Sequence, residues 1–448
     1  MGQSSNWFTN AERTEQFTGT LGSGYNGIVN TESVVYGTVT GTIGLSLNSL
    51  TYNISNATMN NGYMVSFGYG GMANLAEDFN LNVTLGTGTG GNPLEETIRM
   101  YGNNTFNIGG DFNIDYNRAG SGRYLVVNIK TDSTAAATSN TFRVAGDINI
   151  ISRQADARVR LNTNITQFTV GGIIDMSALQ WTIGAPGAGY ASTASVGGLT
   201  TTGSVLGWLR SDGGVGMSTL IFTNSTRQDA SVTYGYTSDT ESALNITMRA
   251  SNAQNGYQIL RFRSGAYDAT DANLGDVIID TGRLDLGMHS EMKGNRLSIS
   301  GTQAVFSATA TDSGEIGTVT FDEGEWYAGK IVVDIEGELA YDKIVFNGRF
   351  DKTGSDRDMG FEFSFDAYAM REFISTGGGE FILEDVITYE TGSSMAGTVL
   401  EGSASGIRWE AVFGDTSLSV SFTVPEPAAV AAILGAIALA FAAHRRRR

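Results

Sequence analysis

Three stretches of this chain align without a gap. Asn104 to Tyr116 reads NTFNIGGDFNIDY, Asn140 to Ser152 reads NTFRVAGDINIIS, and Thr166 to Ala178 reads TQFTVGGIIDMSA. Each carries a phenylalanine (Phe106, Phe142, Phe168), then any residue, an aliphatic residue, a small residue, glycine and a second apolar alternation. A unit this short cannot bury its own apolar face, so it must stack on its neighbours, which is the arrangement of a solenoid. The unequal spacing of the phenylalanines implies coils that carry loops of different length. In FNIDY and INIIS apolar and polar residues alternate with the period of a strand that has one face buried and one wet. A weaker copy is read at SFGYGGMANLA, with Phe67 in the place of the repeated phenylalanine. The pairs Gly109-Gly110 and Gly171-Gly172 are expected to turn corners with positive φ. The asparagine ahead of the repeated phenylalanine is expected to stack with its counterparts as a ladder.

Strand-and-turn units continue beyond these copies in ALNITMRA, YQILRFRSG, DVIIDTGRLDLGM and RLSISGTQAVFSATA. With 59 glycines but only 4 prolines, the bias is toward tight turns rather than proline-rich disorder. LGTGTGGNP and IGAPGAGYASTASVGGLTTTG read as surface loops, because neither places a lysine after its last glycine at the start of a helix, as a phosphate cradle requires. Near Asp312 acids and aromatics become denser, and FEFSFDAY sets Phe361, Phe363 and Phe365 on one face of a strand. The expected fold is all-β: a parallel β-helix or β-solenoid with a β-rich C-terminal cap and a single C-terminal hydrophobic helix. Its parts are an N-terminal segment or cap (1–30), solenoid repeats (31–310), a β-rich C-terminal region (311–424) and a tail (425–448).

A formal net charge of −18 argues against nucleic acid as a partner, since binding phosphates needs clustered Lys and Arg. The chain has no cysteine, and its two histidines, His289 and His444, leave little scope for imidazole chemistry. Acid pairs at Asp111 and Asp115, Asp322 and Glu323, and Asp356 and Asp358 have the residue types for acid–base work on a glycan. On alternating strands and in turns such acids more often form the solvated face. Asp351, Asp356 and Asp358 in FDKTGSDRDMG are weak candidates for a cation, because the spacing fits neither an EF-hand nor a Gly-Gly-x-Gly-x-Asp repeat. No cofactor and no dedicated metal site are expected. His289 lies beside Ser290 and Glu291, but residues adjacent in a strand or turn do not face one another. Trp208, Trp326 and Tyr327 would stack on sugars if exposed, and buried packing is the commoner fate. Asn-x-Ser/Thr triplets begin at Asn53, Asn56, Asn82, Asn103, Asn164, Asn224 and Asn245, and read as the abundance of Asn and Thr in β-turns.

The C-terminus departs from this texture. Val424, Pro425, Glu426 and Pro427 form an extended spacer, and Ala428 to Ala443 holds no charged or polar side chain, with Ala428, Ile433, Leu434, Ile437, Leu439 and Phe441 among its apolar members. Arg445, Arg446, Arg447 and Arg448 follow, a basic stop-transfer cluster that the positive-inside rule places on the cytoplasmic side. This order of Pro-Glu-Pro triplet, apolar helix and basic cluster resembles the PEP-CTERM sorting signal. The resemblance covers about the last 24 residues, and it implies export to a bacterial inner membrane, recognition by an exosortase, cleavage near the triplet, and residence at the cell surface or in the extracellular matrix. The opening MGQSSNWFTNAERTEQF shows no basic segment followed by an apolar one, so a secretory leader is expected to be missing from this sequence. More loosely, the body resembles the β-repeat passengers of autotransporters, without a C-terminal barrel of its own.

The resulting expectation is an exported structural or adhesive protein without catalysis. Its partners would be an exosortase, the inner membrane before processing and an exopolysaccharide. The alternative is a polysaccharide lyase or glycoside hydrolase on the same scaffold, which would need a compact cluster of acids or bases on one strand face.

Overall fold

In the computed structural model the described residues are 24–424, except 32–35, 40–44, 56–60, 68–70, 86–93, 101, 119–124, 132–138, 153–158, 185–190, 204–206, 213–217, 237–242, 264–273, 289–291, 311–315 and 378. They form a mostly-β protein built on a long parallel sheet of 17 strands, with a β-rich C-terminal region and one short helix, as a β-solenoid requires. Each early coil has three strands. Thr105–Ile108 and Phe112–Arg118 lie in one sheet and Leu125–Thr131 in the sheet that faces it, and the next coil repeats the order with Thr141–Val144, Ile148–Ser152 and Val159–Asn164. Later coils keep two principal strands, for example Leu244–Arg249 in the first sheet and Tyr257–Arg263 in the second.

The sequence repeat is the coil repeat. Phe106 pairs in register with Phe142, and Phe142 with Phe168, each through a parallel ladder. All three side chains are buried, and the rings line the interior, Phe106 edge-to-face with Phe142 at 5.2 Å and Phe142 stacked on Phe168 at 5.7 Å between centroids. A second file runs beside them through Phe79 and Phe112, 5.0 Å apart. The weak copy is displaced. The residue in register with Phe106 on the preceding coil is Ala73, whereas Phe67 pairs with Met100 in the facing sheet.

Polar side chains repeat as strictly as the phenylalanines. Buried Asn140 accepts the Asn104 N–H at 2.9 Å, and Asn104 accepts the Gly71 N–H at 2.5 Å, so the expected asparagine ladder exists and satisfies backbone donors at a corner. At the next corner Asp78 accepts the Asp111 N–H, Asp111 the Asp147 N–H (both 2.8 Å), and Asp147 the Ile173 N–H at 2.6 Å. Glycine is needed here for a reason other than the expected one. Gly109, Gly110, Gly171 and Gly172 are not among the residues with positive φ. A Cβ at Gly110, Gly146 or Gly172 would instead overlap the carboxylate oxygen of Asp78, Asp111 or Asp147 in the coil below. The motif is thus small-Gly-Asp, in which each glycine makes room for the aspartate of the previous coil.

Parallel pairing begins at Asn26–Thr31 and persists to Glu380–Thr388, which pairs in parallel with Lys343–Phe346, well past the change of texture near Asp312. Helix Ala367–Thr376 then leaves the coil, capped by Asp366, whose carboxylate accepts from the Tyr368 and Ala369 N–H groups. Glu380–Thr388 joins the coil to an antiparallel set, Val399–Ala404, Ile407–Phe413 and Ser417–Thr423, that closes the end. Phe361 and Phe363 point inward as expected and meet Trp409 (6.1 and 5.2 Å between centroids), while Phe363 also meets Phe422 at 4.9 Å. Such a cap covers the final apolar coil, which would otherwise offer a sticky edge.

Candidate functional site

The outward face of the second sheet collects the functional-looking side chains. In strands of period two, residues on the same parity share a face, and parallel register stacks them coil over coil. Arg227, Tyr257, Arg283, Val305 and Lys330 form one such in-register row across five strands. The phenol ring of Tyr257 lies between two guanidinium groups, with the Arg283 carbon 4.7 Å and the Arg227 carbon 5.3 Å from its centroid. A groove of about 520 Å³ opens over this row, bounded by the 253–256 turn on one side and Glu362 on the other.

Asp285 anchors the groove from beneath. Its side chain has no exposed surface, its Oδ1 accepts Arg283 Nε at 2.7 Å and its Oδ2 accepts Arg283 Nη2 at 3.2 Å, and the Tyr257 hydroxyl donates to the same Oδ2. Burial works against the charge on Arg283, but hydrogen bonding and attraction from Asp285 outweigh it and hold the guanidinium above its usual pKa. This fixes the Arg283 fork in one orientation before any ligand arrives. Glu362, half exposed, sits 4.0 Å from Arg283 and 3.8 Å from Lys330.

A second cluster lies deeper. Thr309 donates to Asp342 at 3.0 Å and lies 3.4 Å from Asp334, and the Gly317 N–H donates to Asp342 at 2.9 Å. Both carboxyls are nearly sealed from solvent, at 6% and 1% exposure. Desolvation is the main cause that pushes Asp342 up to about 7 and Asp334 to about 6, and each is raised further by a neighbouring carboxylate, Asp334 for the first and Asp285 for the second. The pair holds protons in the mildly acidic range but offers no face to a polymer.

The residues singled out from sequence are scattered. Asp111 belongs to the corner ladder, Asp322 binds Lys293 at 3.3 Å and the Asn347 amide at 3.1 Å, and Asp356 binds Lys352 at 2.9 Å. Asp351 would be raised by burial, yet the Ser394 N–H (2.8 Å) and Arg349 (3.1 Å) hold it below its usual range. Asp351, Asp356 and Asp358 do not converge, and among the described residues no three acids or histidines are placed to hold a metal ion. Trp326 is fully buried with its indole N–H on the Ala328 carbonyl at 3.1 Å, Trp208 lies under the Arg210 guanidinium at 4.7 Å, and Tyr327 is exposed. Of the Asn-x-Ser/Thr asparagines, Asn53 and Asn82 are members of an outward amide ladder on strands, Asn224 is buried, and Asn245 accepts the Asp276 N–H. His289, Ser290, Glu291, Asn56 and the tail from Pro425 lie outside the described residues. No described helix is long and apolar enough to cross a membrane.

Sequence reading missed Arg227, Tyr257, Arg283 and Asp285. The signal was present as alternate charged positions in RFR and GRLDL, but only register shows which strands stack. Comparison with protein-family models, curated proteins and solved structures returns no match. The class of protein therefore rests on the fold itself, a capped β-solenoid.

Proposed function

We propose that this chain is an exported structural or adhesive protein of the cell surface or extracellular matrix, sorted by an exosortase acting on its C-terminal tail. The observation that carries this reading is the long parallel coil, whose outward side chains bond to one another from coil to coil and whose antiparallel cap ends in Ser417–Thr423, directly before the Val424-Pro425-Glu426-Pro427 spacer. A rod of this kind presents similar chemistry at regular intervals, which suits many weak contacts to a polymer. The inner membrane would hold the precursor through the apolar tail segment, and an exopolysaccharide would be the matrix partner.

The test is expression of the chain behind a secretory leader in cells with and without an exosortase. The full chain is expected to be shortened and released only when the exosortase is present, whereas a chain lacking 425–448 is neither shortened nor retained at the membrane. Identical processing of both chains would overturn the sorting assignment. The lyase or hydrolase alternative makes a different prediction: incubation with polysaccharides would generate new reducing or unsaturated ends.

A further inference from the structure

We infer that the outward face of the second sheet, centred on the Tyr257–Arg283 groove, is a docking strip for an acidic, carboxylate-bearing polysaccharide. This rests on the adhesive reading above and names the site and ligand chemistry.

Charge distribution carries the argument. The chain is strongly acidic as a whole, with 46 acids against 28 basic residues. Yet on the strands of the second sheet, from Leu94–Met100 to the 282–287 part of Leu274–Gly287, eight basic residues, Arg99, Lys130, Arg160, Arg210, Arg227, Arg261, Arg263 and Arg283, stand against five acids, Glu95, Glu96, Asp212, Asp229 and Asp285. Asp229 and Asp285 face arginines of the same sheet, Arg261 and Arg283. A basic strip on an acidic protein draws an anionic chain to that face and repels it elsewhere.

Local geometry selects the kind of anion. Arg227, Arg283 and Lys330 occur on alternate strands of one row, roughly 10 Å apart at the usual strand spacing. That interval suits an extended polymer whose anionic groups point the same way on alternate units. Guanidinium forks match planar carboxylates in two-point contact, and Arg283 is already oriented by Asp285. Both faces of Tyr257 are taken by arginines, so the groove offers no free ring on which a nucleic-acid base could stack. The exposed amides of Gln254 and Asn255 on the groove wall suit sugar hydroxyls. Glu362, in register with Val332 two residues beyond Lys330, reaches the cations as an internal anion, and a bound carboxylate would take its place beside Arg283 and Lys330.

The experiment is retention of the full chain on immobilised polygalacturonate, dextran and double-stranded DNA in buffered salt. Wild type is expected to bind polygalacturonate and not dextran. Arg227→Ala with Arg263→Ala, both exposed, is expected to weaken binding about tenfold or more, the scale of lost charge-assisted hydrogen bonds. Arg143→Ala on the opposite sheet removes the same kind of charge and is expected to change little, and Glu362→Gln is expected to tighten binding severalfold. Binding that Arg143→Ala weakens equally, or that the strip variants leave unchanged, would overturn the strip while leaving the adhesive reading intact. Preference for dextran or DNA would overturn the ligand assignment, and no retention on any polysaccharide would count against the adhesive reading itself.

Discussion

The early and late coils of this solenoid share one backbone plan but fasten their outer surfaces differently. On the early coils the first sheet is laced by neutral amides: Asn82 donates to Asn53 and Asn53 to Asn30 at 2.8 Å, while Asn149 donates to Asn113 at 3.0 Å and Asn113 to Asn80 at 2.9 Å. On the late coils the same face is laced by charges, Arg249 to Asp280 and Arg296 to Asp276, both at 2.7 Å, with Arg296 also 3.6 Å from Glu325. An amide both donates and accepts, so a column of asparagines can repeat one residue in every coil. A charge stacked on its like at strand spacing is destabilised, so a charged column favours alternate signs. The recognisable repeat therefore fades from the sequence after Ala178 while the coil itself continues. Loss of sequence periodicity here marks a change of fastening rather than the end of the fold.

The largest test of this contrast is inside the early coils. Phe142→Asp places an unpaired carboxylate between Phe106 and Phe168, and is expected to cost about 3–5 kcal/mol and to melt the early coils first, seen as loss of amide protection around 105–175 in hydrogen exchange. Wild-type stability in that region would mean that the aromatic file does not hold the coils together.

A pH titration distinguishes the two regions next. Because Asp334 and Asp342 are raised to about 6 and about 7, the folded protein binds more protons than the unfolded chain between roughly pH 4 and 7. Their contribution is complete below about pH 4 and is lost as pH rises through 6 and 7, so the late coils should weaken from pH 5 to 8 by up to several kcal/mol, at about 1.4 kcal/mol per unit. Asp334→Asn is expected to remove much of that slope in chemical denaturation at pH 5 and 8. An unchanged slope would place the pH sensitivity elsewhere.

The smallest effects compare the fastenings directly. Asn113→Ala breaks two amide contacts and is expected to cost about 1–2 kcal/mol, with the same value at 0.05 and 1 M salt. Arg249→Gln breaks an exposed ion pair worth about 0–1 kcal/mol at low salt and less at high salt. Equal salt dependence of the two variants would remove the distinction.

Much of this was legible in the sequence and some of it was not. The aligned phenylalanines, the asparagine ladder and the inward parity of Phe361 and Phe363 follow from local alternation, which is a property of the strand itself. Phe67 was misplaced because an aromatic followed by glycines looks alike in either sheet, and only the ladder shows that it pairs with Met100. The corner glycines were identified but misread, since their requirement comes from an aspartate a whole coil away rather than from their own φ. Asp334 and Asp342 were not singled out, because burial by other coils leaves no mark on the residues beside them.

The sequence by itself determined that this chain must coil: short apolar alternations, repeated at one coil per unit and punctuated by small residues, can hide their faces only by stacking. Tertiary structure alone decided which outward residues meet, gathering Arg227, Tyr257 and Arg283 into one groove and Asp334 with Asp342 into one sealed pocket. The physical reason is range. Alternation and turn chemistry act over a few neighbouring residues, whereas register across coils is set by loops of unequal length that bring together side chains tens of residues apart.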